Sequence, residues 1–320
     1  MTPLDLLLGN LTSPFVLAFL LGMIAVIAES DLKFPESIYT FLSTYLLLSI
    51  GLKGGVALSE VSFDVIFKPF VGTLFLGISL PFLVFFIAYS IGKLKREDAA
   101  SLAAHYGSVS AVTFIATQVF VTSLGHGSSD YMIALVAVLE VPAIIVGLLL
   151  AQNQSAQPIS FLKRLKIITF GKSVLLLWGG ILMGLLCGKK GMQLVSPFFV
   201  TPFQGVLVLF LLDMGVIAGS RLKDLKHVKG FLFLFAILMP LVNGTLGVLI
   251  GNCMGMSIGD ATVLGAMSAS ASYIAAPAAV RLSLPMANPA YSLTPAIAIT
   301  FPFNLSLGIP LYHQIAVWLS

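Results

Sequence analysis

Asp98-Ala99-Ala100-Ser101-Leu102-Ala103-Ala104-His105-Tyr106-Gly107-Ser108-Val109-Ser110 returns 162 positions later as Asp260-Ala261-Thr262-Val263-Leu264-Gly265-Ala266-Met267-Ser268-Ala269-Ser270-Ala271-Ser272. Each copy lies inside an otherwise apolar stretch and ends in small hydroxyl residues. Two matching interrupted hydrophobic segments, one per half of a chain, are the sequence mark of a binding site built from broken helices near the middle of a bilayer.

Composition agrees. With 58% hydrophobic and only 9% charged residues and a mean hydropathy of +1.04, the chain is far from a soluble domain, in which about a quarter of residues are charged. Ten apolar stretches are long enough to cross about 30 Å of hydrocarbon, at 13–29, 36–57, 68–92, 98–122, 130–151, 172–188, 199–219, 229–253, 260–282 and 290–318. The first follows Met1-Thr2-Pro3-Leu4-Asp5 without a basic leader and ends at Ala28-Glu29-Ser30-Asp31 without a small-x-small cleavage site, so it reads as a retained helix. Cys187 and Cys253 allow one pair at most and read as packing residues.

Basic residues set the orientation. Loops after odd-numbered spans hold Lys33, Lys93, Lys95, Arg96, Lys163, Arg164, Lys166, Lys172, Arg221, Lys223, Lys226, Lys229 and Arg281, which is 13 of the 17 Lys and Arg. Only Lys53, Lys68, Lys189 and Lys190 fall on the other side. The expectation is a multi-pass protein of a bacterial inner (plasma) membrane, with the lipid bilayer as its environment and both termini outside. Its charges are scattered over loops rather than gathered on one face, so nothing favours a nucleic-acid partner.

The repeat extends beyond the opening stretch. Leu47-Leu48-Ser49-Ile50-Gly51 with Gly55 aligns with Leu211-Leu212-Asp213-Met214-Gly215 with Gly219, and Leu139-Glu140-Val141-Pro142 aligns with Ile299-Thr300-Phe301-Pro302. Residues 1–151 and 172–320 thus form two five-helix units joined by a polar cytoplasmic linker, 152–171. An odd span count makes the second unit enter the membrane from the opposite side. The fold class expected is an all-α membrane protein of about ten transmembrane helices, two inverted five-helix repeats with helices 4 and 9 broken.

The breaks fall about ten residues into their spans, roughly 15 Å deep at 1.5 Å per residue. Gly107, Ser108, Ser110, Ser268, Ser270, Ala271, Ser272 and Tyr273 are the substrate-binding candidates. A half-helix N-terminus there presents free N–H groups and about half a positive charge, which suits a small anion. No Lys or Arg lies mid-span to pair with it, which favours a cation entering with the anion. Glu140 and Asp213 are the carboxylates well inside spans, a costly placement without a functional partner. Glu140 precedes Pro142, whose ring frees a backbone carbonyl. Thr300 and Asn304 supply oxygen on one helical face, so Glu140, Thr300 and Asn304 are the sodium-ligand candidates. His105 reads as a hydrogen-bonded packing residue. No catalytic residue set is present: the four histidines, His105, His126, His227 and His313, show no ligand spacing, and no nucleophile has a base beside it. No resident cofactor is called for.

At Ile50-Gly51-Leu52-Lys53-Gly54-Gly55, at Ser268-Ala269-Ser270-Ala271-Ser272-Tyr273-Ile274-Ala275-Ala276-Pro277-Ala278-Ala279, and at Phe301-Pro302-Phe303-Asn304 followed by Gly308-Ile309-Pro310-Leu311-Tyr312, the chain resembles the sodium-dependent bicarbonate transporters of the SbtA type. The resemblance implies sodium-coupled uptake of bicarbonate, a gate domain of helices 1, 2, 6 and 7, a core domain of the other six, and a homotrimer. It places bicarbonate at Ser108, Ser110, Ser270 and Ser272 and sodium at Glu140 and Asn304. Glu140 stands where the family is expected to carry Asp. The linker is shorter than the segment through which cyanobacterial members meet a PII-like regulatory protein, which argues against that partner here. The competing expectation is a sodium- or proton-coupled carrier of another small anion, such as a short carboxylate.

Overall fold

The computed structural model describes residues 3–151, 166, 170–222 and 230–320; nearly all of the expected linker lies outside the described residues. Among those residues every regular element is helical. In chain order they are α1 (Pro3–Leu11), α2 (Pro14–Ile27), α3 (Glu36–Leu58), α4 (Phe63–Ile91), α5 (Arg96–Tyr106), α6 (Ala111–Ser123), α7 (Met132–Leu150), α8 (Lys172–Phe199), α9 (Phe203–Arg221), α10 (Gly230–Cys253), α11 (Ile258–Ala269), α12 (Ala275–Ser283) and α13 (Pro289–Leu319). Among the described residues, eight spans are long and apolar enough to cross a membrane, and nine if Leu4–Leu11 and Pro14–Ile27, bent by 59°, form one. The stretch read as a ninth helix, 260–282, is two pieces of 12 and 9 residues, α11 and α12; at 1.5 Å per residue neither crosses alone.

Small residues decide which helices meet. A Cβ on Gly51 would lie 2.9 Å from the Cα of Gly180, and one on Gly55 2.8 Å from that of Gly184. Lys172 donates to the Thr40 carbonyl near one end of this pair, and Lys189 pairs with Glu60 at 2.6 Å near the other. Helices α3 and α8 therefore run side by side in the same direction. The second close crossing is α2 on α9, where a Cβ on Gly215 would stand 3.0 Å from the Cα of Gly22. In a bilayer, where lipid tails compete for apolar surface, backbone approach of this kind is a main source of helix association. Replacing Gly55 by Leu should lower the melting midpoint of the purified protein, since overpacking costs about 1–3 kcal/mol or more. Gly205→Ala, at a position with nothing within 4 Å, should leave it unchanged or raise it slightly.

These four helices make one group. The remainder make the other: α4 and α5 pack on α7, and α10 and α13 pack on α11. The aspartates that open the two sequence copies have matching duties across it. Asp98 accepts the Asn288 N–H at 2.7 Å, and Asp260 accepts the N–H and hydroxyl of Ser129 at 2.6 and 2.8 Å. Each holds a turn that belongs to the other half of the chain.

One expected boundary holds and one expectation is corrected. The helix expected over 172–188 does end there, at Gly188 with φ +57, and a second helical segment absent from the sequence reading runs on to Phe199. Phe198 and Phe199 then pack on Tyr45, with ring centroids 5.3 and 5.6 Å apart. Cys187 and Cys253 are free and exposed, on outward helix faces rather than packed inside.

Candidate functional site

Both breaks are real interruptions of helix. Gly107 to Ser110 separate α5 from α6, and Ser270 to Ile274 separate α11 from α12. The backbone groups released there are satisfied mainly by the opposite break. The Ser110 N–H donates to Ser270 Oγ at 2.8 Å, and the Ser272 N–H donates to the His105 carbonyl at 2.8 Å. Ser110 also caps α6 by accepting the Thr113 N–H at 3.3 Å, and its hydroxyl donates to the Tyr273 oxygen at 3.1 Å. Ser272 Oγ accepts the Ala276 N–H in the first turn of α12 at 3.2 Å. Two half-helix N-termini, those of α6 and α12, thus begin at one place and direct their positive ends toward it.

Counting protons separates the serines. The Ser270 hydroxyl donates to the Met267 carbonyl at 2.7 Å while accepting from Ser110; it clasps the two breaks together and has no proton left for a ligand. Ser272 and Tyr273 use only their oxygens as acceptors in the bonds above, so each keeps an O–H to donate. Both face one cleft, shared with Val109, Ser110, Ala111 and Glu140. The cleft leaves ≈ 10 Å³ for the centre of a water-sized sphere, about one such body.

Glu140 is 6% exposed and has no hydrogen-bond partner among the described residues. A buried carboxylate without a partner is expensive unless a cation or proton joins it. The three neighbouring oxygens of Ser110, Ser272 and Tyr273 belong to the hard-ligand class that suits a small hard cation. Helix α3 closes the cleft with Leu47.

The other candidates are placed elsewhere. Thr300 bonds the Tyr106 hydroxyl at 2.8 Å and donates to the Ala236 carbonyl at 2.6 Å. Asn304 donates to the Ala269 carbonyl at 2.9 Å and accepts the Tyr312 hydroxyl at 3.0 Å. Both brace the breaks from α13, with Asn304 holding the residue just before Ser270, and neither lines the Glu140 cleft. Ser268 packs on α10, its Oγ 2.6 Å from where a Cβ on Gly247 would stand. Gly107 faces Pro81 of α4 in the same manner. Ala271 packs in the apolar cluster around Tyr106, and the Ser108 hydroxyl is buried without a partner among the described residues. His105 bonds the Ser101 carbonyl through Nδ1 at 2.7 Å.

Sequence reading gave Asp213 less weight than the structure does. It is 3% exposed, its Oδ2 lacks a hydrogen-bond partner among the described residues, and it lies within electrostatic reach of Tyr39, which in turn lies within reach of Tyr273. The alignment of Asp213 with Ser49, in the matching position of the first half, is the signal that singles it out.

Many apolar spans, two broken helices crossing, and a buried carboxylate beside their N-termini define a membrane transporter for a small ion rather than an enzyme. The chain belongs to the Na+-dependent bicarbonate transporter superfamily, whose family model matches residues 14–317. No curated protein matches the chain. Membership makes it a multi-pass membrane protein and implies bicarbonate and sodium as the transported species.

Proposed function

We propose that the protein takes up bicarbonate together with sodium by alternating access, with sodium held at Glu140 and bicarbonate at the N-termini of α6 and α12. The observation that carries this is the unpartnered Glu140 carboxylate, buried in the same cleft as the donors Ser272 and Tyr273. Sodium beside Glu140 fills the one-body cleft, compensates the carboxylate and presents a positive charge to the anion; once the cleft widens in the transport cycle, bicarbonate takes the hydroxyls and the amides at the half-helix N-termini. Without the cation, the carboxylate repels the anion, so coupling follows from charge alone.

Ten helices in two inverted repeats fit this reading. The close pairs α2 with α9 and α3 with α8 each join one helix from each half, and the reciprocal duties of Asp98 and Asp260 match as an inverted repeat requires. In this scheme the four-helix group is the gate and the rest is the core, assembled as the trimer that the family resemblance implies. Two clefts separate gate from core on the side that the basic residues place outside. One is walled by Phe15 and Val16 against Ala116 and Phe120, the other by Lys53 and Phe203 against Ile115 and Gln118. Rocking the core against the gate opens these clefts and closes them in turn.

The test is uptake of labelled bicarbonate into vesicles holding the purified protein, with and without an inward sodium gradient. Saturable uptake that needs the gradient is the expected result. Uptake of a short carboxylate but not bicarbonate replaces the substrate; uptake driven by a proton gradient alone replaces the cation. An impermeant reagent should reach a tag at either terminus of intact cells and fail to reach one at 152–171; labelling of the linker overturns the orientation.

A further inference from the structure

Two of the histidines, far apart in sequence, stand together in space. His126 lies in the turn after α6, just past Gly125 at φ +77, and His313 lies in α13. Their ring centroids are 5.2 Å apart with planes at 64°. His313 is 4% exposed, and both its ring nitrogens are buried without a hydrogen-bond partner among the described residues. Orphaned buried polar atoms are few in folded proteins, and an ion or water is the usual explanation. Phe120 also packs edge-on against His313 at 5.8 Å, and His126 is half-buried.

The 5.2 Å separation is common to edge-on ring pairs and to rings that share one ion. An imidazole nitrogen about 2.0–2.1 Å from zinc puts its ring centre about 3.2 Å from the ion, and two such rings at a tetrahedral angle stand about 5.2 Å apart. That is the separation of His126 and His313. We propose that these two residues form a site for a divalent transition ion of the imidazole-preferring class, Zn2+ or Cu2+, with water completing its shell. No third His, Cys, Asp or Glu joins them among the described residues, so the site is exchangeable rather than structural. It shares no residue with the Glu140 cleft, and sodium, a hard ion, does not compete for imidazole nitrogen. The His126 carbonyl also packs on Gly259, 2.7 Å from where a Cβ would lie, so the ion ties the turn after α6 and the start of α11 to α13.

The experiment uses the full-length protein without a polyhistidine tag, stripped by chelator and titrated with Zn2+ by calorimetry. One ion per chain is expected, with a rise in melting midpoint, and Cu2+ at the site should show hyperfine coupling to two nitrogens by electron paramagnetic resonance. His126→Ala should weaken zinc binding at least tenfold, about 1.4 kcal/mol, and reduce the copper signal to one nitrogen while bicarbonate uptake stays normal. His313→Asn should do the same. If it fails to fold, His126→Ala decides, since that ring stands on a surface turn. Absence of zinc binding at about 100 μM, or unchanged binding in His126→Ala, shows that the rings only pack and overturns the proposal.

Discussion

Glu140→Gln is expected to raise the sodium concentration for half-maximal uptake at least tenfold, while changing the bicarbonate requirement at saturating sodium much less. The amide keeps the shape of the side chain and removes its charge, so packing is preserved and the effect reports electrostatics. Two unit charges about 4 Å apart at an effective dielectric of 20 attract by about 4 kcal/mol, and even a third of that is a tenfold change. Expression and melting midpoint should hold or improve, because the variant no longer buries an ionisable group without a partner. Glu140→Asp should be milder: it keeps the charge and shortens the reach by one methylene. A variant that retains its sodium dependence but loses its response to external pH makes Glu140 a proton carrier, and proton coupling then replaces the sodium reading.

Much of this was open to sequence reading because helix breaks and buried charge leave strong marks. A pair of Gly/Ser-rich interruptions at constant spacing cannot arise from helix packing as easily as one can, and Glu140 is conspicuous in a span as apolar as Met132–Leu150. The directions of individual side chains were not legible. Regular helical periodicity puts Thr300 and Asn304 on one face, but α13 contains π-helical turns at Ala296–Thr300 and Asn304–Gly308, each of which shifts the helical register. Thr300 accordingly reaches α5 and α10, and Asn304 reaches α11. The same second turn explains Asn10, whose amide donates to the Leu305 and Ser306 carbonyls at 2.7 and 2.9 Å and ties α1 to α13 across nearly the whole chain. Pairing of His126 with His313 was equally hidden, since no sequence spacing records which turn folds over which helix.

The second large effect separates a ligand donor from a clasp, two roles that sequence assigns alike to hydroxyls in the breaks. Tyr273→Phe removes the O–H left free over the cleft and also leaves the Ser110 hydroxyl without its acceptor. A hydrogen bond to a charged group contributes about 1.5–3 kcal/mol, so the bicarbonate concentration for half-maximal uptake should rise about 10- to 100-fold at saturating sodium, with the protein still folded. Ser272→Ala should act in the same direction. Ser270→Ala should behave otherwise, because its hydroxyl is used twice inside the protein. Losing it strands the buried Ser110 N–H, at a cost of about 1–3 kcal/mol, and frees the two breaks to separate. The melting midpoint should fall, and the sodium and bicarbonate requirements should rise together, since both ions depend on the crossing that Ser270 holds closed. If Ser270→Ala instead weakens bicarbonate alone while Tyr273→Phe is silent, the anion sits against the α11 side of the crossing, and Ser270 exchanges its Met267 bond for the substrate when the cleft opens.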